Sequence, residues 1–179
     1  TLAGFLSREA GPEGRCEFVD GEIIEMPPES EDNVVTASYL VAQFLQRLPF
    51  DWVRQGRTEL VVSGRVRLPD LIVLGDELTR ALAGKSRSTI TEDMPAPLLV
   101  VEVVSPGKVN EDRDYRYKRS EYAARGIEEY RIVDPGRNKV TVLTLVDGLY
   151  EAQELMSNDT LTSPQLLPLA LGISQVLQL

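Results

Sequence analysis

The sequence predicts an α/β (α+β) protein: a central mixed β-sheet flanked by helices, with an N-terminal hairpin, in a single domain over residues 1–179. Three observations predict it. Asp20-Gly21, the strongest two-residue turn signal, separates two short strand-like runs near the start. Helix-period and strand-period segments follow in irregular order rather than in strict βαβ alternation. One run, "PLLVVEVVSPG", is too continuously apolar for a surface strand and reads as a central strand covered on both faces.

Each element can be justified in turn. "LAGFLSREA" suggests a short helix ended by Gly11-Pro12, and "RCEFVDGEIIEM" the hairpin. "MPPES" breaks the pattern. Val34, Val35, Ala37, Leu40, Val41, Phe44, Leu45 and Leu48 then recur as on one helix. "TELVVSG" and "RVRLPDLIVLG" are strands, with Pro69 marking a strand entry or an edge because it has no N–H to give. "GDELTRALAGK" suggests a short helix and "SRSTITEDMPAP" a loop. After the apolar strand, "NEDRDYRYKRSEYAARG" reads as a helix capped by Asn110 and closed by Gly126. Three strands follow, turning at Pro135-Gly136 and Asp147-Gly148, and the tail ends in a short helix.

Composition narrows the chemistry. With no histidine, the chain has no Ser-His-Asp triad, Cys-His pair or imidazole base, and no Cys/His zinc site. A metal must sit on oxygen ligands, which selects Mg²⁺, Mn²⁺ or Ca²⁺. The single cysteine, Cys16, permits no internal disulfide, reads as a small packed side chain and fits a reducing, cytoplasmic setting. No apolar run approaches the roughly 20 residues that span a bilayer, so no membrane partner is expected. The start lacks the features of a secretory signal; it also lacks a Met, so residues upstream are expected. A net charge of -9 argues against gripping nucleic acid with the whole surface. Arg54, Arg57, Arg65 and Arg67 nevertheless stand against Glu59 alone, which allows a local basic lip.

Two carboxylates stand where strands want aliphatic residues. Asp70 follows Pro69, and Glu102 interrupts the apolar run. An unpaired buried carboxylate costs several kcal/mol, so something must neutralise each. If the two strands are neighbours, both acids converge, and a divalent cation relieves their repulsion. In the following helix Lys118 lies one turn from Tyr115 and Tyr122, so its stem can run along apolar surface toward the acids. Two acids, a lysine and Mg²⁺ or Mn²⁺ make a phosphodiester hydrolysis site.

Asp70 after Pro69, followed by Glu102-Val103-Val104 in a buried strand, resembles the PD-(D/E)XK nuclease signature. More closely, the chain resembles the Uma2 family, also called DUF820, of restriction-endonuclease-like proteins. "EFVDGEIIEMPP", "RLPDLIVL", "LLVVEVVSPG", "DRDYRYKRSEYAARGIEEYRIVDP" and "PQLLPLALG" carry the likeness, in that order. The resemblance implies a restriction endonuclease-like fold and an Mg²⁺-dependent endonuclease acting on DNA, working as a homodimer. It implies Asp70 and Glu102 as metal carboxylates, the Val103 carbonyl as a third ligand, Lys118 as the site lysine and Glu22 as an added acid. Two departures stand out. Val104 occupies the usual lysine position, and Asn33 lies where relatives often carry a histidine.

Other readings compete. Asp70 could accept backbone N–H groups, Glu102 could join a structural ion pair, and Lys118 could lie solvated among Arg116 and Arg119. Lys108 is a rival lysine in a Pro-Gly loop, and Glu22 a surface hairpin residue. The four arginines read as solvated strand ends, and Tyr115, Tyr117 and Tyr122 as packing. At the level of function, the rivals are a catalytically degenerate binding or regulatory module and a metal-dependent hydrolase of small phosphate substrates.

Overall fold

The structure is a computed structural model that describes residues 1–8, 15–163, 166 and 170–178. In chain order the elements are α1 (Leu2–Leu6), β1 (Cys16–Val19), β2 (Glu22–Glu25), α2 (Glu31–Leu45), β3 (Val53–Gln55), β4 (Glu59–Val62), β5 (Arg65–Arg67), β6 (Leu71–Val73), α3 (Asp76–Leu82), β7 (Thr89–Ile90) and β8 (Leu99–Val103). Then come α4 (Lys108–Asp112), a π-helical turn (Arg113–Lys118), α5 (Arg119–Arg125), β9 (Glu129–Asp134), β10 (Lys139–Val146), β11 (Leu149–Met156), β12 (Thr160–Thr162), β13 (Ala170–Gly172) and α6 (Ile173–Val176).

The strands form two main sheets rather than one. The first runs β2-β1-β5-β4-β7; the second runs β11-β10-β9-β8-β6-β3; β12 and β13 pair separately. The β8–β9 pair is parallel and the other pairs of the second sheet are antiparallel. "RVRLPDLIVLG" is therefore not one strand. Its first half, β5, belongs to the first sheet and its second half, β6, to the other. Pro69, unable to donate to a ladder, lies between the two halves. The hairpin forms as expected, with Asp20 and Gly21 at φ 53° and 92°. The expected helix stop at Gly11-Pro12 lies outside the described residues.

Burial follows strand parity. Leu99, Val101 and Val103 of β8 pack with Ala37, Leu40 and Phe44 of α2, while Val100 and Val104 pack with Tyr122 of α5 and Leu78 of α3. Each fully buried aliphatic or aromatic side chain contributes about 1.5–3 kcal/mol. The buried stripe on α2 is narrower than its apolar spacing suggests. It takes Asn33, Thr36, Ala37, Leu40 and Phe44 and leaves Val34, Val35 and Leu45 exposed, because the helix meets the sheet along one line of i, i+3, i+4 positions.

The helix after β8 starts earlier than predicted. Gly107, at φ 112°, turns the chain into α4 at Lys108; Asn110 does not cap the helix but donates its amide to the Pro106 carbonyl at 2.8 Å. Gly126 closes α5 in the left-handed region, as expected. The predicted loop 86–97 contains β7, and β3 forms an edge strand against β6 that the sequence did not signal.

Candidate functional site

The β6–β8 register pairs Leu71 with Val101, so one step further Asp70 lies opposite Glu102. Asp70 is pinned there: its Oδ2 accepts the Val103 N–H at 2.7 Å. Glu102 has the parity of Val100 and Val104 and so points toward α5. Tyr122 donates its hydroxyl to Glu102 Oε1 at 2.7 Å, and Lys118 Nζ lies 2.8 Å from Oε2. Lys118 Nζ also stands 3.4 Å from Asp114 Oδ1 and 3.6 Å from Glu17 Oε1. The ion pair expected at Glu102 and the helix lysine are thus one arrangement, and Asp70 lies at the facing strand position.

The helix delivers these groups through its π-helical turn, a widening frequently found at functional sites. Asp114 and Lys118 face inward from that turn, and Glu121 and Tyr122 continue the same face in α5. The rival Lys108 points away, its side chain 81% exposed and paired with Asp112 at 2.8 Å.

Electrostatics sharpen the cluster. Burial pushes Glu102 up to about 8; Lys118 opposes the rise, and the charges of Asp70 and Asp114 add to it. Burial works against the Lys118 charge, yet Glu102, Glu17 and Asp114 together hold its pKa above the ordinary lysine range. Burial also lifts Asp70 above the usual carboxylate range, against Lys118 and the Val103 N–H. Glu17 goes the other way: despite burial, Lys118 and Arg67 hold it down to about 2.

Glu17 is a residue that sequence reading missed. Glu22 was expected as the hairpin acid, but it is exposed on β2, whereas Glu17 on β1 is buried. Glu17 accepts from Arg67 NH1 at 2.8 Å and from the Leu68 N–H at 3.2 Å. Arg67 then forks onto Glu121 through Nε and NH2, both at 2.7 Å. Arg65 joins Glu121 at 2.8 Å and Asp20 at 2.6 Å. These two arginines are therefore not solvated strand ends, because each has a carboxylate at its tip. Their i, i+2 spacing on one strand face was the available signal. Arg57 is exposed as expected, and Arg54 binds the Asp51 carbonyl at 2.7 Å. Among the tyrosines, Tyr122 bonds to the site acid, Tyr115 donates to Asp134 at 3.0 Å, and Tyr117 is 57% exposed.

Two openings flank the cluster. A groove of about 450 Å³ runs between the hairpin and the helix, with Glu17, Arg65, Arg67, Arg113, Tyr117 and Glu121 among its lining residues. On the Asp70 side lies a smaller cavity of about 70 Å³, where Arg15, Glu29, Asn33, Gln55, Gly56 and Asp70 meet. Asn33 donates toward the Val103 carbonyl at 3.4 Å and the Ser105 hydroxyl at 3.1 Å. Among the described residues, no three His, Cys, Asp or Glu side chains converge to hold a metal ion.

The fold is mixed α/β, with Asp70 and Glu102 at facing strand positions and a helix lysine against Glu102. The chain belongs to the Uma2 family, described as "Putative restriction endonuclease", whose family model matches residues 2–175. Its fold is similar to a crystal structure of "a putative nuclease belonging to DUF820" from Anabaena variabilis ATCC 29413. The two share 17% identity over 99% of this chain and 97% of that one, with a TM-score of 0.73. Comparison with curated proteins gives no match. No helix among the described residues is long and apolar enough to cross a membrane.

Proposed function

We propose that the protein is a Mg²⁺- or Mn²⁺-dependent endonuclease that hydrolyses DNA phosphodiester bonds through Asp70, Glu102 and Lys118. One observation carries the reading. Asp70 and Glu102 occupy facing positions on paired strands, and the Lys118 ammonium lies 2.8 Å from Glu102. The donor set fits the ion. Asp70, Glu102 and the Val103 carbonyl are hard oxygen donors, and Mg²⁺ is commonly held by one or two carboxylates, with water and substrate phosphate completing its shell. Burial does most to lift Glu102, and the Asp70 and Asp114 charges that add to the rise are what a dication would offset.

When bound, the ion supplies positive charge to a phosphate oxygen and lowers the pKa of a bound water. The protein's own residues do the rest. Tyr122 fixes one Glu102 oxygen and so sets the carboxylate's orientation. Glu17 and Asp114 keep Lys118 charged and aimed at the acid pair. Lys118 then stabilises the negative charge that develops on the phosphoryl oxygens. Cutting both strands takes two copies, and the outer edge of β11 offers a pairing surface for the second.

The test is metal-dependent cleavage of plasmid DNA by the wild type, Asp70→Ala and Glu102→Gln, with circular dichroism to verify the fold. Cleavage should vanish in both variants, and full activity in either overturns the reading. A second reading, a nuclease-fold module without catalysis, is favoured by the burial of Glu102 behind Tyr122 and Lys118. Its signature is no Mn²⁺ binding at millimolar concentration in a calorimeter.

A further inference from the structure

The acid pair is not equally accessible. The Asp70 side chain is 14% exposed, against 3% for Glu102 and 1% for Lys118. An ion or a phosphate therefore reaches the pair from the Asp70 side, where the 70 Å³ cavity lies. That volume exceeds the roughly 10–15 Å³ that one water requires.

A side chain of this chain already stands at that entrance. Arg15 NH1 lies 2.5 Å from Glu29 Oε1, and NH2 lies 3.5 Å from Asp70 Oδ1. The first contact is a short charge-assisted bond; the second is too long for a good hydrogen bond. Among the described residues, Arg15 Nε is buried without a partner. The backbone at Arg15 is fixed, because its carbonyl accepts the Met26 N–H at 2.7 Å. The long side chain can therefore change partner about an anchored carbonyl. The guanidinium has spare donors, a weak hold on Asp70 and an adjoining cavity. A planar fork of N–H groups is also the chemistry that matches a phosphodiester.

We propose that Arg15 is the counter-charge that a divalent ion displaces from Asp70, and that its freed guanidinium then binds the phosphate of the nucleic-acid substrate. The proposal rests on the nuclease reading above and adds to it a phosphate-binding residue outside the acid–lysine set. Glu29 is the anchor that keeps the guanidinium at the entrance throughout.

The experiment is calorimetric titration of Mn²⁺ into the full chain without nucleic acid, for the wild type, Arg15→Gln and Arg15→Lys. Removing the competing cation should tighten Mn²⁺ binding in Arg15→Gln, while Arg15→Lys stays near the wild type. A merely structural strut would lower stability without tightening metal binding. In cleavage assays Arg15→Gln should raise KM for DNA by about tenfold, the scale of one charge-assisted phosphate contact. Equal or weaker Mn²⁺ binding in Arg15→Gln overturns the proposal. Should that variant not fold, the wild type still decides. Its Arg15 guanidinium ¹⁵N resonance must shift on Mg²⁺ addition, and an unchanged signal at saturating Mg²⁺ overturns the proposal. Loss of cleavage in Asp70→Ala alongside unaltered Mn²⁺ binding in Arg15→Gln rejects the Arg15 role alone. Full cleavage by Asp70→Ala rejects the nuclease reading, and absence of Mn²⁺ binding in every protein rejects both.

Discussion

Strands β8 and β9 carry buried ions on both faces, and the two groups differ in kind. On the α2 face, Arg131 Nε donates to Glu129 Oε1 at 2.6 Å, and the Ser163 hydroxyl donates to Oε2 at 2.6 Å. The Phe44 ring lies 5.9 Å from that guanidinium, and both ions are 1% exposed. This pair has one charge of each sign on a single strand. On the α5 face, Glu102 and Lys118 belong to a network that takes in Asp70, Asp114, Glu17 and Arg67 from several segments. It reaches the surface through the hairpin groove and past Arg15. The lesson is that burial of a charge does not define a site. A closed pair on one strand serves the fold, whereas a network drawn from several segments and open to solvent is the place for the proposed ion.

The sharpest way to break the contrast is to unbalance the closed pair. Arg131→Ala leaves Glu129 buried and unpaired, which should cost about 3–5 kcal/mol in denaturant unfolding. Whatever protein folds should still bind Mn²⁺ like the wild type. On the other face, Lys118→Met should reduce cleavage by about a hundredfold or more through loss of one preorganised donor. Its stability loss should be smaller than that of Arg131→Ala, since Glu102 readily takes up a proton.

The pH dependence separates two members of the network. Glu17 has a folded pKa of about 2 against an ordinary 4.5. Its stabilisation is therefore full above pH 4.5 and drains away as pH falls toward 2, amounting to about 3 kcal/mol at neutral pH. Glu17→Gln should flatten that acid limb in urea midpoints measured against pH. Glu102 has the opposite sign, with a folded pKa of about 8. Its cost to the fold is absent below pH 4.5 and grows as pH rises to 8, so Glu102→Gln should abolish the decline over that interval. The smallest effect belongs to the exposed Lys108–Asp112 pair. Lys108→Ala should move stability by no more than about 0.5 kcal/mol and leave cleavage unchanged.

Much of this was legible before any coordinates. A carboxylate breaking an apolar strand, a second after a proline, and a lysine one turn from two tyrosines carry parity and spacing, and these place Glu102 toward Lys118 and opposite Asp70 once β6 and β8 are known to be neighbours. What stayed hidden depends on pairing across the chain. Glu17 sits in a half-polar strand and looks like any hairpin acid until β5 places Arg67 beside it. The division of "RVRLPDLIVLG" between two sheets is marked only by Pro69, which reads equally well as the entry to a single strand. Edge strand β3 has only three residues, too few for a period to show. Glu129 and Arg131, two apart in an apolar strand, could have been read as a facing pair by the same parity rule.

The π-helical turn has a consequence for length variation among relatives. Such a turn holds one residue more than ordinary winding needs, so deleting one residue between 113 and 117 would leave an uninterrupted α-helix of acceptable geometry. The flanking segments would keep their facing, because the widened turn is what absorbs the extra residue. A deletion within 115–117 would set Asp114 three positions before Lys118 instead of four, and both spacings lie on one helix face. Relatives shorter by a single residue here would therefore keep the carboxylate beside the lysine while losing the wide turn.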